Sequence, residues 1–259
     1  MALITCEFFS ETLTLTVPIT VILPERRVME QGADADGKCP VLYLLHGFSD
    51  DQSMWVRQTS IERYAANKGI AVVMPEVGHS FYNDMVYGNR YWTFITKELP
   101  EVVQTYFPLS GKREANFVAG LSMGGYGAFK WALRYPERFA AAASLSGVLD
   151  IGSRVDRADA EDPISTAFKL AFGEGDISTE NDILYLVTEV DKSEGPKPIL
   201  FQACGTEDGL YADNIQFKET CDKTHMDLTT HFGPGGHDWG YWDEQIQHVL
   251  EWLPIPSLP

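Results

Sequence analysis

The 259-residue chain is 44% hydrophobic and 22% charged, long enough to bury a sizeable core and unlike a disordered, fibrous or small disulfide-stapled chain. Its 20 Lys and Arg stand against 37 Asp and Glu, a formal charge of −17 that repels phosphate backbones and anionic headgroups and so sets aside nucleic acid and membrane surfaces as partners.

From the N-terminus, MALITCEFFSETLTLTVPITVIL has no basic leader and alternates Thr with Leu or Val. It reads as strand rather than signal peptide, and no apolar run approaches the ~18 residues of a membrane helix, so the expectation is a cytoplasmic protein. Two strands near 3–9 and 12–23 are joined closely enough for an antiparallel edge hairpin. Continuous apolar runs then recur at 41–46, 70–75, 116–120, 139–147, 198–205 and 228–233, the pattern of strands covered on both faces. Between them lie predicted helices near 58–68, 100–107, 123–135, 213–224 and 240–253. Pro100 suits the first turn of its helix and Pro136 ends another. Strand–helix alternation implies one α/β domain over 1–259, built on a mostly parallel sheet with right-handed crossovers and helices on both faces.

Residues 150–196 interrupt this rhythm with twelve acidic residues against four basic ones, a local charge of −8. PISTAFKLAFG and ENDILYLVTEV give the segment helical pieces, and an insertion of this length reads as a lid or as solvated decoration. Its apolar strips are candidates for a homo-oligomer contact. Cys6, Cys39, Cys204 and Cys221 show no CxxC spacing and read as structural thiols, with a Cys204–Cys221 pairing left open.

Gly120-Leu-Ser-Met-Gly124 is a GxSxG pattern directly after one β-like run and before an amphipathic helix. That context lifts the Ser122 hydroxyl out of a sheet at a helix N-terminus, with Gly120 and Gly124 permitting the sharp turn and Gly125 and Gly127 permitting close helix–sheet approach. A seryl hydroxyl needs a base and the base an orienting acid, in the chain order Ser, acid, His. His237, in the Gly-rich loop FGPGGHDWGYW after the last strand, fits the base. His225, His231 and His248 fall at a helix end, in a strand and on a helix. Asp208 fits the acid, with Glu207 as rival, while Asp213 and Asp227 read as a cap and a turn residue. Met123 supplies one oxyanion N–H by position and Phe48, in LLHGFSDDQSMW, the second; His46 braces that loop, and a metal site from His46 and Asp50 lacks a second His. Phe81, Tyr82, Trp92, Trp239 and Trp242 are candidates for an acyl pocket or for packing.

LLHGFSDDQSMWVRQTSIERYA, GLSMGGYGAFKWALRYPERF and GPGGHDWGYWDEQI together resemble the esterase D family of α/β-hydrolases, above all its bacterial tributyrin esterase branch, from about residue 1 to 253. The resemblance implies an α/β-hydrolase fold and hydrolysis of short-chain acyl esters without a cofactor or metal, with the triad on Ser122, Asp208 and His237 and the oxyanion donors on Phe48 and Met123. S-formylglutathione hydrolases, feruloyl and acetylxylan esterases and mycolyltransferases belong to the same wider family. This chain has GLSMGGYGA where S-formylglutathione hydrolases usually carry GHSMGGHGA, which ranks a simple ester above the thioester. A non-catalytic interaction module on the same fold is the remaining alternative. An acidic insertion overhanging the site predicts discrimination against anionic esters.

Overall fold

The computed structural model describes residues 1–25, 28, 36–66, 68–156, 162–175 and 177–255. Eight strands form one sheet in the order β1-β2-β4-β3-β5-β6-β7-β8. They are β1 (Ala2–Ser10), β2 (Leu15–Leu23), β3 (Val41–Leu45), β4 (Ala71–Pro75), β5 (Asn116–Leu121), β6 (Ala141–Leu145), β7 (Ile199–Gly205) and β8 (Leu228–Gly233). β1 and β2 form the expected antiparallel edge hairpin, β2 also runs antiparallel to β4, and the remaining neighbours are parallel. This arrangement is an α/β-hydrolase sheet.

Both faces are covered because the strand residues alternate between two cores. Val41, Tyr43 and Leu45 of β3 join one apolar cluster, and Leu42 and Leu44 join the other. The helices are α1 (Met54–Gln58), α2 (Ile61–Ala66), α3 (Leu99–Tyr106), α4 (Met123–Arg134), α5 (Ile151–Asp156), α6 (Pro163–Phe172), α7 (Ile183–Lys192), α8 (Tyr211–Cys221) and α9 (Trp239–Trp252). Tyr126, Phe129 and Trp131 of α4 fill the first core, whereas Trp242, Ile246 and Val249 of α9 fill the second. Among the described residues no helix is long and apolar enough to cross a membrane.

Several boundaries differ from the sequence expectation, some of them for identifiable local reasons. The helix expected over 58–68 starts only at Ile61, and a separate short helix, α1, precedes it, because the Thr59 hydroxyl donates to Trp55 O and accepts from Ile61 N–H, closing α1 and opening α2. Before α3 the chain makes a π-helical turn, Phe94–Glu98. Its Glu98 carboxylate accepts from the Ser10 hydroxyl and from the N–H groups of Glu11 and Thr12, tying the edge hairpin to the body of the fold. β6 stops at Leu145 rather than near 147, because Ser146 turns the chain with φ of 49°. Cys204 and Cys221 are both free thiols, so the pairing left open between them is not formed. Residues 150–196 supply α5, α6 and α7 between β6 and β7; positions 157–161 and 176 of that segment lie outside the described residues.

Candidate active site

Parallel strands deliver their following loops to one edge of the sheet, and three of these loops meet there. After β5, Ser122 sits at φ 53° and ψ −116°, a strained backbone held by its N–H donating to Leu145 O at 2.8 Å. The turn is sharp enough that a Cβ on Gly120 would collide with Gly124 O, and one on Gly124 would lie 2.5 Å from Leu45 O. Helix α4 begins at Met123, whose N–H belongs to the first turn and so has no intrahelical carbonyl to pair with.

β7 and β8 end side by side, and their loops cross so closely that Gly205 and Gly235, the latter at φ 146°, leave no room for a Cβ between them. Glu207 N–H donates to Gly235 O at 3.1 Å, and Gly235 N–H donates back to the Glu207 carboxylate. Glu207, the rival for the acid, therefore clamps the two loops together, leaving Asp208 to face His237.

The resulting hydrogen-bonded chain is short. His237 Nδ1 lies 2.8 Å from Asp208 Oδ2, and His237 Nε2 lies 3.0 Å from Ser122 Oγ. Asp208 Oδ1 also accepts from Leu210 N–H at 2.8 Å. Burial pushes the Asp208 carboxyl up, but hydrogen bonds from His237, the Leu210 N–H and Ser146 outweigh it, so the group is held below the ordinary carboxylate range. An ionised Asp208 accepts from Nδ1–H, which leaves Nε2 free to take a proton from Ser122. The His237 ring stands edge-on to Trp242, with centroids 4.9 Å apart, and Trp242 Nε1 donates to Ser146 Oγ at 3.1 Å.

His46 is buried and does brace its loop: Nδ1 pairs with Gly47 O at 2.7 Å and Nε2 accepts from Val77 N–H at 3.1 Å, so both ring nitrogens are engaged. Asp50 Oδ2 accepts from Gly47 N–H at 3.3 Å and steadies the turn that presents Phe48. Asp213 is not a cap; it grips Arg154 of α5 through both carboxylate oxygens. Among the other histidines, His231 lies in β8, His248 on α9, and His225 pairs with Asp191.

Ser122 and His237 open onto a cavity of about 290 Å³ whose apolar walls are Phe48, Phe81, Val148, Ile164, Phe168 and Leu210; Met123 and Arg154 also line it. Of the five aromatic candidates only Phe81 reaches this wall. Phe81 and Tyr82 form a consecutive pair at φ 49° and 50°, so their side chains diverge. Phe81 stacks on Phe168, with centroids 4.3 Å apart. Tyr82 turns inward, donates to His46 O at 2.9 Å and packs against Gly127, which therefore faces this ring and not the sheet. Trp92 lies in a separate cavity with Arg134, Glu180 and Asn181. Trp239 packs edge-on between Trp55 and Trp242, and Trp242 supports His237 from behind the cavity. Arg154, Ile164 and Phe168 escaped the sequence reading because α5 and α6 reach the cavity only through tertiary packing; the inward period of Phe168, with Ala167 and Ala171 buried beside it, was the available signal.

The family model described as "Putative esterase" matches residues 10–253. The chain belongs to this esterase family. It is a carboxylic ester hydrolase of the esterase D type. The esterase is 30% identical to the acetyl esterase of Caldicellulosiruptor saccharolyticus over 98% of both chains. Among solved structures, FphF, a fluorophosphonate-binding serine hydrolase of Staphylococcus aureus, superposes with a TM-score of 0.88 at 36% identity over 98% of both chains. The S-formylglutathione hydrolase FrmB of Staphylococcus aureus superposes with a TM-score of 0.84 at 37% identity, again over 98% of both chains.

Proposed function

We propose that the esterase hydrolyses short-chain acyl esters, acetyl to butyryl and tributyrin-like, through an acyl-enzyme on Ser122. The hydrogen-bonded run Ser122–His237–Asp208 at the floor of a small apolar cavity carries this reading. His237 takes the seryl proton as the oxygen attacks the ester carbonyl and returns it to the departing alcohol, while Asp208 holds the imidazole in the required tautomer. Backbone N–H groups of Phe48 and Met123 receive the oxyanion. Water then attacks the acyl-enzyme by the same proton route in reverse. A cavity near the lower end of the usual ligand-pocket range favours a short acyl chain, and α5 and α6 act as a lid over it.

Hydrolysis of p-nitrophenyl acetate, butyrate and octanoate by wild type and Ser122→Ala tests the reading. The expected outcome is a rate that falls from butyrate to octanoate and at least about a thousandfold loss in the variant. Equal rates for the two proteins would sink the assignment. The likeness to FrmB gives S-formylglutathione a place in the same comparison; a kcat/KM for that thioester well above the one for butyrate would make the esterase a thioesterase.

A further inference from the structure

Set aside the Ser122–His237–Asp208 chain, and one side chain with hydrogen-bonding capacity remains among the described residues lining the cavity: Arg154. A mostly apolar pocket takes its specificity from such isolated polar groups, because a polar atom of the ligand must find its partner there or go unpaired. Arg154 is fixed in place. Its Nε donates to Asp213 Oδ2 at 3.0 Å and its Nη2 to Asp213 Oδ1 at 2.8 Å, a two-pronged grip on a buried carboxylate of α8. Nη2 also reaches Gly209 O at 3.4 Å, in the loop that carries Asp208. These bonds use Nε and Nη2; Nη1 has no partner among the described residues, and the side chain is about one-third exposed.

The charge around this donor decides what it accepts as a partner. Asp213 cancels the guanidinium charge, and Asp150 and Asp208 add further negative potential. A ligand carboxylate gains little against that field, whereas a neutral oxygen gains a donor already oriented and already desolvated on one side. We infer that Arg154 forms a polar subsite for a neutral oxygen acceptor, an ether, hydroxyl or carbonyl oxygen, carried by the substrate beyond the scissile ester. The inference rests on the esterase mechanism proposed above and narrows its substrates to oxygenated short-chain esters such as those of polyols.

Isosteric pairs test it. Butyl acetate is compared with 2-methoxyethyl acetate, which places an oxygen on the alcohol side, and ethyl butyrate with ethyl methoxyacetate, which places one on the acyl side. The ether-to-alkyl quotient of kcat/KM is measured in wild type, Arg154→Met and Arg154→Lys; intrinsic reactivity cancels between proteins. The quotient falls roughly three- to tenfold in Arg154→Met on the side that meets the guanidinium, and Arg154→Lys restores part of it. A quotient unmoved within about twofold on both sides overturns the subsite. In Asp213→Asn the guanidinium charge is no longer cancelled, so 4-nitrophenyl hydrogen succinate gains several-fold on neutral 4-nitrophenyl valerate; no gain overturns the neutral-acceptor assignment. Undiminished hydrolysis by Ser122→Ala would instead defeat the catalytic reading, so the two failures are told apart.

Discussion

At the residue scale, Asp208 is held ionised to lower pH than an ordinary aspartate despite its burial. A carboxyl depressed in the folded state stabilises the fold above its unfolded value, and that contribution is lost as the pH falls through the folded value. Wild type therefore loses more Tm between about pH 6 and about pH 3 than Asp208→Asn does, a difference that calorimetry at the two pH values measures. The same substitution removes the carboxylate that selects the His237 tautomer, and kcat falls by roughly a thousandfold or more with little change in KM. Gly124 gives a second expectation. A methyl there would meet the carbonyl oxygens of Leu45 and His46 at 2.5 and 2.6 Å, so Gly124→Ala shifts the elbow or prevents folding; yield and fluorophosphonate labelling read out the two cases.

At the element scale, the crossing of the loops after β7 and β8 holds Asp208 and His237 together. Glu207 accepts from Gly235 N–H without touching His237, so its removal acts on where the imidazole sits. Glu207→Ala lowers kcat by about tenfold while KM stays nearly constant, and Glu207→Gln, whose amide oxygen still accepts, recovers most of the loss. Strands β3 to β7 were legible because burial on both faces leaves unbroken apolar runs, whereas β8 is a half-exposed edge strand, LTTHFG, and was legible only from its place in the strand–helix alternation. Ser122, Asp208 and His237 could be singled out because the strand–turn–helix context orders them. The cavity wall was not. Nothing local announces that Phe81 and Tyr82 both take positive φ and part company, nor that Trp92 lies beneath the Lys130 amine and the Arg134 guanidinium, 4.4 and 4.9 Å from its ring. The insertion was visible as an interruption, but the inward aim of Arg154 depends on Asp213, 59 residues later.

At the scale of the whole molecule, part of the charge of −17 is engaged within the fold. Asp162 and Asp182 of the insertion cap α6 and α7, Glu180 pairs with Arg134, and Asp191 pairs with Lys197 and His225. The discrimination expected against anionic esters would then have two sources: a long-range field and the carboxylates around Arg154. Salt separates them, since the Debye length shrinks from about 30 Å at 0.01 M to about 8 Å at 0.15 M. The anionic-to-neutral quotient of kcat/KM rises over that range and stops short of unity, and a quotient indifferent to salt would remove the long-range field from the account.

The parallel run from β4 to β8 also gives the sheet two unequal ends. Every loop of the reacting group sits where strands finish, and the Thr224–Asp227 connection enters β8 from the other end, separated from Gly233 by a six-residue strand or roughly 20 Å. A reporter domain or surface tether inserted at exposed Lys223 would leave Ser122, Asp208 and His237 untouched, so the fold comes with a built-in handle for immobilising the working enzyme.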